Sequence, residues 1–321
     1  MTMIPPCPQL SITLVHHNGW EALQNCLQSL YQNPPSVPFE VILVDNVSTD
    51  GSVERVQSEF PEVKLLQNTQ RAGFGANQNT AIRASQGDYI LLLNDDTVVH
   101  PGALDALYHC LDTHSETVVV GPRLHNLDGT LQPSCYRFPS PFHCLWENLL
   151  LTAAFPNHPL FGDYRAWPHD GIRDVDFVVG AAMLLRRSVL DKVGLFDPTF
   201  FMYAEETDLQ YRIHTHGGNV LFCPEAIITH IGGHSTERMP ERQFCEFQRS
   251  QAKFMRKHYG LIGAFVQRIA MLFGSLLRLT LWGGCFLFFP RRRAKARENL
   301  TTWTQLLRWW CGLGPHQGLE E

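Results

Sequence analysis

No C-x-x-C pair occurs among the nine cysteines, and their odd number and wide scatter exclude a zinc or disulfide framework. Free thiols in a reducing compartment are the expectation. Met1 to Gln9 has neither the basic nor the apolar stretch of a secretory signal, so the body is expected to stay in the cytosol. A Walker G-x-x-x-x-G-K and a G-x-G-x-x-G are both missing, which takes support from P-loop and dinucleotide-binding functions. Basic charge is in short supply: 26 Lys+Arg face 31 Asp+Glu, a net charge of −5, which argues against nucleic acid as a partner. Charged residues reach only 18% while hydrophobic ones make up 44%, so the chain is not intrinsically disordered. Its 321 residues fit one large domain or two.

The charge is unevenly spread. Residues 1–237 hold 12 basic and 26 acidic side chains, whereas residues 238–318 hold 14 basic and 3 acidic. Within this basic tail, Ile269 to Phe289 carries a single charge, Arg278, and the cluster Arg291-Arg-Arg-Ala-Lys-Ala-Arg297 follows. At about 1.5 Å per residue that apolar segment just reaches across a bilayer. A mid-segment Arg is costly there, and Gly274, Gly283 and Gly284 dilute the pattern. A helix lying on an anionic cytoplasmic leaflet is the preferred expectation, with a true span and a packed soluble helix pair as alternatives.

The first half alternates apolar runs with amphipathic ones. Ser11 to Val15, Phe39 to Val44, Val63 to Leu66 and Tyr89 to Leu93 read as buried strands, with helical spacing between them. This is the pattern of an α/β fold with a parallel sheet covered on both faces, where ligands bind beyond the carboxyl ends of the strands. Leu127 to Gly171 reads as a long irregular region. Order resumes at Asp176 to Leu185, followed by a short helix around Val189 to Val193, a helix from Glu205 to about His216, and two short strands, Val220 to Cys223 and Ala226 to Thr229.

Polar residues gather at the expected strand ends. Asn94-Asp95-Asp96 closes the fourth strand, and adjacent acids there need a hard cation or hydrogen bonds; capping the following helix is the alternative. Asp45-Asn46 closes the second strand, where Asp45 could bind a nucleotide or form an Asx turn. Gly73-Phe74-Gly75 could bring backbone to a diphosphate or simply turn. Glu205-Glu206 and Asp208 open a helix, which favours carboxylates, and one of them in a partly apolar pocket would serve as a general base. His230 ends a strand as a metal ligand or a structural histidine.

Their order along the chain is more specific than any one of them. Asp45-Asn46-x-Ser48-Thr49-Asp50-Gly51, then Asn68 through Gly73-Phe74-Gly75-x-Asn77-x-Asn79 and Asn94-Asp95-Asp96, resembles the inverting family 2 glycosyltransferases. The resemblance continues through Gly180-Ala181, Phe196-Asp197, Phe200 to Tyr203, Glu205-Glu206-x-Asp208 and His230-x-Gly232-Gly233-x-Ser235, and it is nearest to the rhamnosyltransferase-like branch. It spans roughly Leu10 to Tyr259. It implies a GT-A fold over residues 1–259, with a donor half at about 10–125 and an acceptor half at about 126–259, followed by a helical apolar and basic region at 260–321.

The resemblance also implies roles. Glu206 would be the catalytic base. Asp45, Asn46, Asn68, Gly73, Phe74, Asn77, Asp95 and Asp96 would hold the donor. Asp96 and His230 would bind Mg²⁺ or Mn²⁺, and Glu205 and Asp208 would face the acceptor side. Glu206 stands where the family more often has Asp, and Asn94 replaces the first acid of a full D-x-D. The implied donor is a nucleotide-diphosphate sugar, dTDP-rhamnose ahead of UDP-linked hexoses, and the acceptor a saccharide or lipid-linked saccharide in cell-surface polysaccharide synthesis. The enzyme would sit at the inner face of the plasma membrane. Gln305-Leu-Leu-Arg308-Trp309 matches the Q-x-x-R-W of processive polysaccharide synthases, yet it lies far beyond the base motif and reads as an amphipathic terminal helix. A processive synthase and a nucleotide-sugar-binding protein without catalysis are the alternative functions. A sugar-1-phosphate nucleotidyltransferase would need a cationic Gly-rich loop that Val15-His-His-Asn-Gly19 does not supply.

Overall fold

The computed structural model describes residues 7–164, 167–232 and 241–314. Gly233 and Ser235 of the His-Gly-Gly motif lie outside them. The chain divides into two compact units, Met1–Phe138 with Pro168–Arg238, and Pro139–Trp167 with Met239–Glu321.

In the first unit β1 (Leu10–His16), α1 (Trp20–Gln32), β2 (Phe39–Asp45), α2 (Ser52–Glu59), β3 (Lys64–Gln67), α3 (Phe74–Ala84) and β4 (Tyr89–Leu93) alternate strictly. Then come β5 (Thr97–Val99), α4 (Ala103–Thr113), β6 (Thr117–His125), β7 (Leu131–Gln132) and β8 (Cys135–Tyr136). The sheet order is β3-β2-β1-β4-β11-β6-β12-β5, where β11 is Ala182–Arg186 and β12 is Asn219–His230. β1 pairs in parallel with β2 and β4, β2 with β3, and β6 with β12, whereas β11 enters antiparallel between β4 and β6. A mostly parallel central sheet therefore forms. Its strands are apolar on both faces because helices cover both. Ile12, Leu14, Leu91 and Leu93 pack with Leu23, Leu27 and Leu30 of α1, all fully buried. Each contributes about 1.5–3 kcal/mol by leaving water.

The register places chemistry at one edge of this sheet. His16 lies beside Asp45 in the β1–β2 pair, so the ends of two parallel strands coincide. β5 follows the acidic turn and pairs antiparallel with β12, setting Thr97 opposite His230. That single pairing brings the acidic motif to a histidine more than a hundred residues away.

Two expectations need correcting. The strands expected at Val220 to Cys223 and Ala226 to Thr229 are one strand, β12, whose register slips between Cys223 and Ile227 as at a β-bulge. Three extra residues, Pro224 to Ala226, are absorbed without ending the pairing. The region Leu127 to Gly171 is not irregular throughout, since it contains β7, β8, α5 (Pro141–Asn148) and α6 (Leu151–Ala154). Ser140 caps α5 by accepting the His143 N–H at 3.0 Å, and Pro141 sits at the first helical position.

The remaining elements of the first unit are β9 (Arg173–Val175), β10 (Phe177–Val178), α7 (Arg187–Val193) and α8 (Glu205–Thr215). Gln210 of α8 clamps β10, donating to the Val178 carbonyl at 2.7 Å and accepting the Val178 N–H at 2.9 Å.

The second unit joins α5 and α6 to α9 (Glu241–Phe288) and α10 (Arg293–Trp310). Gly260 interrupts α9 with φ 65° and ψ −161°, a conformation closed to most residues. The apolar segment expected at Ile269 to Phe289 falls in the second half of α9. Arg278 is satisfied inside the unit: it donates to the carbonyls of Glu147 and Asn148 at 2.7 and 3.1 Å and stacks 4.5 Å from the Trp303 ring. Gln305 to Trp309 lies on α10.

Candidate active site

Asn94, Asp95 and Asp96 follow β4 directly. The Asn94 N–H donates to the Ala181 carbonyl at 2.9 Å, and the Asn94 carbonyl accepts the Thr97 hydroxyl at 2.7 Å, so the turn is fixed at both ends. Its two acids then diverge.

Asp96 points to His230. The His230 Nε2 lies 3.3 Å from Asp96 Oδ1 and 3.3 Å from Asn94 Nδ2, while its Nδ1 lies 2.8 Å from Gln132 Oε1. The Gln132 amide N–H₂ is turned to Asn126 Oδ1 at 2.9 Å, so Gln132 Oε1 accepts from His230 Nδ1–H. A neutral ring then presents a bare Nε2 to the carboxylate. Asp96 Oδ1 is buried with no hydrogen-bond partner. Two acceptors converging at 3.3 Å are an ion pair when the ring is doubly protonated, and otherwise a seat for a cation. Gly232 leaves that seat open, for a Cβ there would lie 2.2 Å from Asp96 Oδ2 and 3.3 Å from His230 Nε2. Burial opposes ionisation of Asp96, but a doubly protonated His230 and the Gly232 N–H outweigh it and hold the carboxyl below its ordinary range.

No group of three or more His, Cys, Asp or Glu suited to a metal occurs among the described residues. Two side-chain ligands nevertheless suit Mg²⁺ or Mn²⁺, which commonly take one or two carboxylates and complete their shell from substrate phosphates and water. The donor set therefore fits a divalent ion that completes its shell from groups outside the chain.

Asp95 points the other way. Its Oδ2 meets His16 Nδ1 at 2.5 Å, and His16 Nε2–H reaches Ser52 Oγ at 3.0 Å. The Ser52 hydroxyl donates to Asp50 Oδ1 at 2.5 Å, and Asp50 also accepts the Gly19 and Trp20 N–H groups. Burial pushes the Asp95 carboxyl up, partly offset by His16. At Asp50 slight desolvation is outweighed by these donors, which hold its carboxyl at about 2. A continuous polar wire thus joins the acidic motif to the loop after β1. His16, Ser52 and Gln132 are absent from the sequence expectation. His16 carried a weak signal, a histidine at the end of the first strand; Gln132 carried none, since it comes from a region that reads as irregular.

Glu206 sits in the first turn of α8. The two residues before α8 proper, Tyr203 and Ala204, have φ of 67° and 63°, a strained pair that fixes how the helix begins. Glu206 is half-buried, yet its Oε2 is closed to solvent and has no hydrogen-bond partner. Desolvation pushes its carboxyl up, against backbone N–H groups of Glu206, Thr207 and Gly180. Gly180 is followed by Ala181, whose carbonyl holds Asn94, so one dipeptide touches both the base candidate and the acidic turn. Glu205 is buried, and Asp208 is fully buried against Arg212 at 2.9 Å.

The other expected donor residues fall into one network. Asn46 receives the Ala72 N–H and donates to the Ala72 carbonyl, each at 2.9 Å, while Asn68 Nδ2 bridges Asn46 Oδ1 and Asn77 Oδ1 at 3.2 and 2.5 Å. Both Asp45 carboxylate oxygens accept the Ser48 N–H at 3.2 Å, the Asx-turn arrangement. The Phe74 N–H donates to the Phe201 carbonyl at 2.8 Å, and a Cβ on Gly73 would lie 2.5 Å from that oxygen. The Gly73 loop and the aromatic run before Glu206 are thereby backbone neighbours. Asn79 bonds both the N–H and the carbonyl of Phe196 at 2.9 Å in a buried setting. Asn79→Ala leaves both groups unpaired and is expected to cost about 2 kcal/mol of stability, read from the urea midpoint at constant m-value; an unchanged midpoint would refute the anchoring role.

Comparison with known proteins follows the same lines. The model of glycosyl transferase family 2 matches residues 11–194. The N-acetylglucosaminyl-diphospho-decaprenol L-rhamnosyltransferase of Mycobacterium tuberculosis (strain ATCC 25618 / H37Rv) is 30% identical over 237 residues, covering 70% of this chain and 76% of that protein. A low-salt glycan biosynthesis hexosyltransferase of Haloferax volcanii is 25% identical over 218 residues, covering 67% and 64%. Among solved structures, a mannosyltransferase of Pyrobaculum calidifontis in complex with GDP-Man and Mn²⁺ superposes with a TM-score of 0.56 at 17% identity, covering 94% of this chain and 88% of that one. GalNAc-T7 with UDP, GalNAc and Mn²⁺ gives 0.54 at 16% identity, over 76% of this chain and about half (48%) of the other. At such identities the likeness establishes the fold, GT-A.

Proposed function

From the premise that this chain belongs to glycosyl transferase family 2, and is therefore a glycosyltransferase, we propose that it catalyses metal-dependent, inverting transfer of a rhamnose-like sugar. The donor is a nucleotide-diphosphate sugar, dTDP-rhamnose ahead of UDP-linked hexoses, and the acceptor a saccharide or lipid-linked saccharide. The rhamnosyltransferase relative, whose own name specifies a diphospho-decaprenol-linked substrate, supports that choice. The observation that carries the reading is the pairing of Asp96 with His230 beside the Asn94 turn, which is held by Ala181, the neighbour of the Gly180 that Glu206 packs against.

Asp96 and His230 would hold Mg²⁺ or Mn²⁺, which when bound offsets the charge of the departing diphosphate. Glu206 takes the proton of the acceptor hydroxyl at Oε2, the oxygen left without a partner, as that hydroxyl attacks the anomeric carbon from the face opposite the diphosphate. The His16 wire keeps Asp95 oriented toward the donor. Asp45, Asn46, Asn68, Gly73, Phe74 and Asn77 shape the nucleotide pocket, and Glu205 and Asp208 support the acceptor side of α8. In this reading residues 1–259 are catalytic, residues 260–321 serve location, and the enzyme is peripheral to the cytoplasmic membrane face.

Thermal-shift titration with dTDP-rhamnose and with UDP-linked hexoses, each with and without Mn²⁺, tests the assignment. The expected result is stabilisation by dTDP-rhamnose that requires Mn²⁺. Equal stabilisation without metal removes the cation, and a shift with UDP-hexoses alone removes the donor.

A further inference from the structure

The second half of α9 has two unlike faces. Ile262, Phe265, Ile269, Phe273, Leu276 and Leu287 are all exposed, from 47% at Ile269 to 80% at Ile262. At 3.6 residues per turn these six fall within about 80° of one another around the helix axis. The stripe they form is about 40 Å long by the helical rise. Thr280 is its polar member, and Arg268 sits at its margin. The opposite face is built for protein: Gln267 and Ser275 are buried, and Gly274 packs so tightly on Asn148 that a Cβ would lie 2.1 Å from its Oδ1. Arg278 is tied to α5 on that same side.

By length and composition alone α9 is long and apolar enough to cross a membrane, with 28% of its most apolar window buried. Its neighbour argues against a crossing. α10 folds back along α9: near the turn Arg293 donates to the Phe286 carbonyl at 3.1 Å, and at the far end Trp310 Nε1–H donates to Gln248 Oε1 at 3.1 Å. α10 carries Arg293, Lys295, Arg297, Glu298 and Arg308. Drawing α9 through the hydrocarbon would draw this charged helix with it, at about 2.5–3.5 kcal/mol per central charge on the insertion scale. Lying in the interface incurs none of that cost, and it sets the exposed cations Arg291, Arg292, Arg293, Lys295 and Arg297 beside anionic headgroups.

We propose that the outer stripe of α9 is a membrane-docking face that lies in the plane of an anionic bilayer surface, without spanning it. The inference rests on the peripheral-membrane reading above and specifies its geometry. Removal of the tail is a poor test, because α5 packs on α9 and would lose its partner. Point variants at exposed positions keep the second unit whole.

The experiment is flotation of the full-length chain with vesicles of phosphatidylcholine containing phosphatidylglycerol, against pure phosphatidylcholine. Wild type is expected to float with the anionic vesicles and much less with the neutral ones. F265S/F273S should lower the partition coefficient about a hundredfold, from about tenfold per half-inserted Phe, with an unchanged melting temperature. The tip is read with Arg292→Cys in a chain whose accessible Cys7, Cys285 and Cys311 are changed to Ser, and a membrane-impermeant maleimide added outside. Labelling of the vesicle-bound protein equal to that in detergent fits an in-plane helix. A wild type that stays at the bottom overturns both the membrane reading and this geometry. Binding that F265S/F273S leaves intact, a tip that is protected until detergent is added, or a stripe whose loss dissolves a dimer without affecting vesicles, overturns the geometry alone.

Discussion

Glu206→Gln lowers turnover by about 10²–10⁴-fold, the ordinary contribution of a positioned general base, while donor affinity stays near wild type. The amide keeps the volume and the contacts of the carboxyl beside Gly180 but cannot accept a proton. The pH profile is a second signature. Burial raises the Glu206 carboxyl above its ordinary value, and a base must be ionised to act. The acid limb of kcat/KM should therefore lie at higher pH than an ordinary glutamate gives, and it should vanish in the Gln variant. The stability sign runs opposite. A raised carboxyl binds its proton more tightly in the native than in the unfolded state, so its contribution to stability is lost as pH climbs from the unfolded value through the native one. Glu206→Gln should thus be no less stable than wild type at neutral pH. Turnover within a few-fold of wild type, with its acid limb intact, removes Glu206 from the role.

The second large effect belongs to the cation seat. Asp96→Asn removes the charge, and Gly232→Ala fills the space, because its Cβ would stand 2.2 Å from Asp96 Oδ2. Both should raise the donor KM and the Mn²⁺ requirement, Gly232→Ala by about 10–100-fold, as for a disturbed ligand-orienting shell, and Asp96→Asn by more. Titration of Mn²⁺ by its paramagnetic signal, with and without nucleotide diphosphate, separates loss of metal from loss of donor. If Gly232→Ala binds Mn²⁺ and donor as wild type does, the seat is not between Asp96 and His230.

Much of this was legible beforehand, for identifiable reasons. Strand ends are readable because continuous apolar runs stop abruptly at polar residues, so Asp45, Asn94 and His16 could be placed from sequence. The helix at Glu205 announced itself through acids in its first turn. Partnership was not legible. That Asp95 turns to His16 while Asp96 turns to His230 depends on the β5–β12 pairing, which no local pattern encodes. Nor could spacing reveal that Asn46, Asn68 and Asn77 bond one another, or that Asp208 is taken by Arg212. The Ser140-Pro141 cap was a local signal within a stretch that reads as loop. Arg278, a charge that weighs against a membrane span, finds its partners only through α5 and α10.

The discontinuity of the second unit also sets a timetable for synthesis. Arg278 lies 130 residues after the Asn148 carbonyl that it binds, so a ribosome adding about 5–20 residues per second leaves α5 waiting roughly 6–26 s. Throughout that interval α5 has emerged from the ribosome, with Asn148 on the side that Met271 and Gly274 later cover, while α9 has not. The nascent protein is then most open to holdase chaperones and to misassociation between neighbouring chains on a polysome. Slow codons between α8 and α9 should prolong that exposure, whereas the same codons before α5 should not.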